Sequence, residues 1–187
     1  MNEADVSGKI AKQLAHMAEE KNVFLFVVSP ENYGLVCTLI ADYLTRELRL
    51  EGIYITLNTG YSKATDTMKK KGIDTAKLFF VDAVSKSTGK TIKSDNCSLV
   101  EGPQSLTELS MAIATTAASG KYSFLVMDSI NVLLLYNDLK TTEKFSHYLI
   151  SRMRSINMGA IILSVQDETV DKMISTVSQF CDGIVRL

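Results

Sequence analysis

Residues 23–36 read VFLFVVSPENYGLV: six consecutive apolar residues, a polar turn containing a proline, then the first residues of an amphipathic segment. The run 23-VFLFVV-28 is β-branched and aromatic with no polar alternation, which predicts a strand buried on both faces, ended by Pro30. From 34 to 50 the apolar positions Leu35, Leu39, Ile40, Tyr43, Leu44 and Leu48 recur at helical spacing and stop before Gly52. A buried strand feeding a helix through a short loop is the repeating unit of a parallel sheet covered by helices.

The same alternation continues in both directions. Upstream, Val6, Ile10, Leu14 and Met17 predict an N-terminal helix over 4–21, with Asp5 or Ser7 as its cap. Downstream, strands are predicted at 53–57, 78–82, 122–128, 160–165 and 183–187, with helices at 62–71, 105–119, 141–157 and 168–180. Ser105-Leu106-Thr107-Glu108 has the form of a capping box. The stretch 83–104 is polar and turn-rich, with a possible short strand at 97-CSLV-100. The expectation is an α/β fold of three layers, α/β/α, with a mainly parallel sheet of six buried strands. Such sheets place ligand sites at the carboxyl ends of strands, here 29–34, 58–61, 82–90, 128–131 and 164–168.

Composition narrows the class. The chain has 187 residues, 46% hydrophobic and 22% charged, with a formal net charge of -1. That fits one ordinary globular domain, 1–187, and argues against a general nucleic-acid binder, which carries a basic surplus. The longest apolar runs fall well short of the roughly 20 residues a membrane span needs. MNEADVSGK, at the N-terminus, is polar and acidic, unlike a signal peptide. Three scattered cysteines, Cys37, Cys97 and Cys181, form no metal spacing and are expected to be free thiols in the cytoplasm.

The loop Ser29-Pro30-Glu31-Asn32-Tyr33-Gly34-Leu35-Val36 stands where a phosphate-binding P-loop, GxxxxGK[ST], would stand. Aligned without a gap, it keeps only the second glycine, Gly34. Ser29 replaces the first glycine, Leu35 the lysine and Val36 the Ser/Thr. Glu31 adds negative charge and Pro30 lacks an N–H, so each change opposes phosphate binding. Pro30 and Tyr33 are the residues that would block the pocket. Asp128, at the end of 122-YSFLVMDS-129, has the form of a Walker B carboxylate, which holds Mg²⁺ through water; a helix cap or loop anchor is the commoner role of such a residue. Gly89-Lys90-Thr91 imitates a P-loop tail, but Val84 stands where the first glycine belongs. His16 and His147 lie in predicted helices, away from any Ser or Cys that would complete a triad. Lys69, Lys70 and Lys71 suit a helix C-terminus. Neither GxGxxG nor GxSxG occurs at a strand end.

The ordered set of segments resembles the RecA-fold ATPase domains of the KaiC/RadA-like group over roughly residues 20–187. The features that carry it are the P-loop position at 29–36, the turn Gly72-Ile73-Asp74, the strand 78-LFFVDA-83, the segment 124-FLVMDSINVLLLYND-138, and the closing 159-GAIILSVQDE-168 and 182-DGIVRL-187. The resemblance implies a RecA-like P-loop NTPase fold and a catalytic Glu after the second strand, where this chain has Asn58 and Thr59. Of the family's catalytic set only Asp128 remains.

Those departures lead to the expectation of a pseudo-ATPase: a non-catalytic regulatory or protein-interaction module, with no cofactor, that pairs with a protein partner or with itself. The alternative is a nucleotide or anion binder without efficient hydrolysis, holding ATP and Mg²⁺ weakly. Lys86, Lys90 and Lys93 face Asp82 and Asp95 in the 83–96 loop, a modest surplus that does not make a nucleic-acid site.

Overall fold

The computed structural model describes residues 3–187, with side chains described from Asp5 onward. Seven strands form one sheet: β1 (Val23–Val28), β2 (Gly52–Thr56), β3 (Leu78–Asp82), β4 (Cys97–Leu99), β5 (Phe124–Asp128), β6 (Gly159–Val165) and β7 (Gly183–Arg186). Their order is β4-β3-β2-β5-β6-β1-β7, and every pairing is parallel. The six expected strands are all present. The seventh is the short Cys97–Leu99 segment, which pairs with the outer edge of β3, so the count of six is corrected to seven.

The helices are α1 (Glu3–Glu20), α2 (Tyr33–Asp42), α3 (Tyr61–Lys70), α4 (Leu106–Ala117), α5 (Ile130–Tyr136), α6 (Leu139–Ser155) and α7 (Asp171–Ser178). They divide by sequence. The apolar stripes of α1, α2 and α3 pack on the sheet face carrying Phe24, Phe26, Tyr54, Phe80, Phe124 and Val126. The stripes of α4 to α7 pack on the opposite face, against Leu25, Val27, Ile53, Ile55, Leu125 and Met127. The period of two along each strand makes this division: alternate residues serve opposite cores.

Several local expectations are corrected. α1 already includes Asp5 and Ser7, so neither stands at its N-cap. The second helix gives way to a π-helical turn over Tyr43–Glu47, in which the Leu48 N–H donates to the Tyr43 carbonyl at 3.0 Å. Ser105 makes no side-chain cap; Glu108 instead accepts from the Glu101 N–H at 2.9 Å and pairs with Lys86 at 3.5 Å. The predicted helix at 168–180 begins as a 3-10 turn, Glu168–Val170, before α7. Helix α5 lies in the apolar segment after Asp128, where no helix is expected from periodicity over so short a run. Among the described residues no helix is long and apolar enough to cross a membrane.

Candidate functional site

The chain leaves β1 at Ser29 and enters α2 at Tyr33 through a tight turn. The Asn32 N–H donates to the Ser29 carbonyl at 3.1 Å, and the Ser29 N–H to the Leu187 carbonyl at 2.8 Å. Pro30 has no N–H. The Ser29 and Asn32 N–H groups are thus engaged, and Pro30 supplies no donor. The Ser29 hydroxyl is buried without a partner. Pro30 and Glu31 are exposed, and Val36 is buried in the core under α2. Leu35, at the lysine position, lines a separate outer groove with Leu39, Lys71 and Ile73, away from the strand ends.

Asp128 ends β5 and points to the face covered by α2 and α3. Both of its oxygens are occupied. The Tyr33 hydroxyl donates to Oδ1, and the Tyr54 hydroxyl donates to Oδ2 at 2.9 Å. Sheet order explains both partners. Tyr54 lies on the neighbouring strand β2, where Thr56 pairs with Asp128, so Tyr54 sits diagonally two residues back on the same face. Tyr33 follows β1, and β6 separates β1 from β5. Two strand spacings are about 10 Å, a gap that a long phenol arm at the start of α2 bridges.

The electrostatics are one-sided. Asp128 is 8% exposed. Burial pushes its carboxyl above the ordinary carboxylate value, and the two phenol hydrogen bonds pull it back in part. Burial is also the main cause raising the Tyr33 and Tyr54 phenols, and it raises the nearby Cys37 thiol, with the Asp128 charge adding to each. Among the described residues Asp128 makes no ion pair; the salt bridges involve other acids. Among those residues no group of three metal-ligating side chains occurs. Burial likewise pushes the thiols of Cys97 and Cys181 up to about 12, and all three cysteines are free.

A cavity of about 260 Å³ opens between α2 and α3 at the carboxyl edge of the sheet, lined by Tyr33, Gly34, Tyr54, Asn58, Thr59 and Asp128 among others. It gathers five of the positions singled out from the sequence: Tyr33, Gly34, Asn58, Thr59 and Asp128. Ser29, Pro30, Glu31, Asn32, Leu35 and Val36 lie outside it. Thr59 has its carbonyl held by the Thr56 hydroxyl, and Asn58 is exposed. Tyr54, Cys37 and Lys63 were not foreseen as lining residues. Tyr54 carried a readable signal: a tyrosine inside an otherwise apolar buried strand needs a partner for its hydroxyl.

Other motifs resolve into structural parts. Asp82, fully buried at the end of β3, accepts from the N–H groups of Tyr61 at 2.7 Å, Val84 at 2.8 Å and Ser85 at 3.0 Å. Gly89-Lys90-Thr91 lies in an exposed turn with Gly89 at φ +72°, and no helix follows it. His147 packs edge-on against Phe180 with ring centroids 4.6 Å apart.

Comparison with known proteins agrees with this topology. A solved KaiC-like protein from the hyperthermophilic archaeon Pyrococcus horikoshii superposes with a TM-score of 0.67 at 14% identity, covering 90% of this chain and 71% of that one. At that identity the likeness establishes the shared RecA-type fold. No curated protein matches the sequence significantly. The profile of the family described as ATPase: KaiC matches residues 37–187, starting one residue beyond the 29–36 loop. That match spans well over half of the sequence, and this chain belongs to the KaiC ATPase family.

Proposed function

We propose that this KaiC-family domain is non-catalytic and works as a regulatory or protein-interaction module. One observation carries the reading: the carboxylate that would hold Mg²⁺ through water is occupied on both oxygens by Tyr33 and Tyr54. The residues around it do not fit a magnesium-held triphosphate. Leu35 supplies no charge for a transferring phosphate, Val36 no hydroxyl for the metal, and Asn58 and Thr59 no base for water. The tight turn at Ser29–Asn32 leaves no loop to wrap phosphates. The interaction half of the reading is supported by large apolar side chains left exposed at the end of α5, Leu135 at 80% and Tyr136 at 57%. Three free cysteines support a cytoplasmic setting.

The test has two arms. Phosphate release from Mg-ATP by the purified chain stays at the buffer background. Size-exclusion chromatography with light scattering, alone and after incubation with native lysate, shows self-association or a retained partner. Turnover above background overturns the first half, and a strictly monomeric chain that retains nothing overturns the second.

A second reading, nucleotide or anion binding without hydrolysis, is favoured by the open space above Gly34, where a side chain would meet nothing within 4 Å at the start of α2. A thermal shift that grows with Mg-ATP concentration supports it. No shift at millimolar nucleotide removes it.

A further inference from the structure

The Asp128 carboxylate is buried, charged when ionised, and without a cationic partner among the described residues. Buried charges in proteins are paired or coordinate a cation, because an unpaired one is costly. A carboxylate has about four acceptor sites, and two phenol hydroxyls fill two of them. Asp128 lines the cavity between α2 and α3. The cavity walls are aromatic or soft: the rings of Tyr33 and Tyr54, with Cys37, Ala64 and Met68. Thr38 and Thr67 lie at the same cavity, on α2 and α3.

We propose that this cavity is a binding site for a small organic ammonium ion, its nitrogen on Asp128 and its apolar body against Tyr33, Tyr54 and Met68. The site rests on the reading of Asp128 as a carboxylate not engaged by metal. Size limits the ligand. A water takes about 30 Å³ of liquid volume, so 260 Å³ admits a body of about nine non-hydrogen atoms. Aromatic walls favour an organic cation, since phenol rings attract ammonium groups and replace some of their hydration. Among the described residues no group of three metal-ligating side chains occurs, so a bare metal ion has no full protein ligand set here. Lys63 also lines the cavity, and its charge opposes cations there, most of all those with a second positive charge.

The test uses the full chain and three probes of similar shape: benzylammonium, benzyl alcohol and benzoate, each titrated by calorimetry and by two-dimensional NMR. Benzylammonium is expected to bind at least tenfold more tightly than benzyl alcohol, with shifts at Gly34, Thr38 and Thr67, and benzoate not to bind. Asp128→Asn, which keeps the side-chain shape, removes the preference for the cation. Thr67→Trp, at an exposed position on α3, blocks benzylammonium and benzyl alcohol and leaves the fold intact. Equal binding of the cation and the alcohol overturns the proposal, as does cation binding that survives Asp128→Asn or Thr67→Trp. No saturable shift with benzylammonium at millimolar concentration also overturns it. Mg-ATP turnover is measured separately, so a failed ammonium site is distinguishable from a failed non-catalytic reading.

Discussion

Tyr33, the first residue of α2, donates its hydroxyl to Oδ1 of Asp128, the last residue of β5, across a sequence separation of 95. This bond ties the turn after β1 directly to the end of β5. A phenol spans those two elements. Tyr54 completes the cap from β2 at 2.9 Å. The carboxyl ends of β1, β2 and β5 are thereby joined through one carboxylate, which has the character of a structural clasp.

The clasp predicts a stability cost for each hydroxyl. Tyr33→Phe keeps the ring and removes the donor, leaving a buried carboxylate oxygen with one partner fewer. The expected loss is about 1–3 kcal/mol, read from urea unfolding midpoints at constant slope. Tyr54→Phe is expected to fall in the same range, and the double variant to lose less than the sum, because both hydroxyls serve one group. Wild-type stability in Tyr33→Phe shows that the bond contributes nothing.

Titration of Asp128 has a definite sign. Burial raises its carboxyl above the ordinary value of about 3.9. Between that value and the raised one the folded state binds more protons than the unfolded state. Stability from this group is therefore fully present below the ordinary value and is lost as pH rises through the raised one. Asp138 and Asp167 have the opposite sign. Hydrogen bonds from Thr141 and from Thr169 hold them low, so their contribution appears at higher pH and is lost on acidification. Urea midpoints of wild type minus Asp128→Asn isolate the first effect. That difference is expected to fall with rising pH, and a difference flat in pH removes it.

How much of this was legible in the sequence differs from element to element. The run 23-VFLFVV-28 could be nothing but a buried strand, and the continuous apolar character of β5 and β6 gave their places as well. Cys97–Leu99 was harder, since three half-buried residues carry no period, and only pairing with β3 makes them a strand. Helix α5 is seven residues long, too short for periodicity to separate from a coil. Ser105 and Glu108 have the right spacing for a capping box, but Lys86 and the Glu101 N–H compete for the Glu108 carboxylate. At the site, that residues 35 and 36 are Leu and Val, with neither charge nor hydroxyl, was visible in one dimension. The cap of Tyr54 on Asp128 was not, because it depends on strand order, which brings β2 beside β5 across 74 residues.

Two glycines predict opposite outcomes for the same substitution. A Cβ at Gly52, the first residue of β2, would lie 2.2 Å from the Phe124 ring on the paired strand β5. Phe124 is fully buried and cannot swing away, so Gly52→Ala is expected to cost about 1–3 kcal/mol by overpacking. A Cβ at Gly34 meets nothing within 4 Å and lies on an exposed helical position. Gly34→Ala is expected to stabilise by about 0.5–1 kcal/mol through reduced freedom of the unfolded chain. Urea unfolding of the pair checks both signs; a destabilised Gly34→Ala shows that the backbone there needs glycine.

Asp82 predicts the largest single effect outside the hydrophobic core. Its carboxylate is wholly buried and is the acceptor for three backbone donors, one opening α3 at Tyr61 and two in the turn after β3 at Val84 and Ser85. Asp82→Ala leaves all three N–H groups without their acceptor, that of Ser85 in a buried residue and those of Tyr61 and Val84 in partly buried ones. Each buried, unsatisfied donor costs about 1–3 kcal/mol, so a total loss above about 3 kcal/mol is expected. Asp138 makes a similar bond to the Thr141 N–H at 2.8 Å, but as the exposed N-cap of α6. Water replaces the carboxylate there, and Asp138→Ala is expected to cost much less than Asp82→Ala. Amide exchange separates a local effect from a global one. In Asp82→Ala the Tyr61, Val84 and Ser85 amides lose protection ahead of those in β1 and β6. Equal loss in every strand would mean that Asp82 supports the sheet as a whole and not only the start of α3 and the turn after β3.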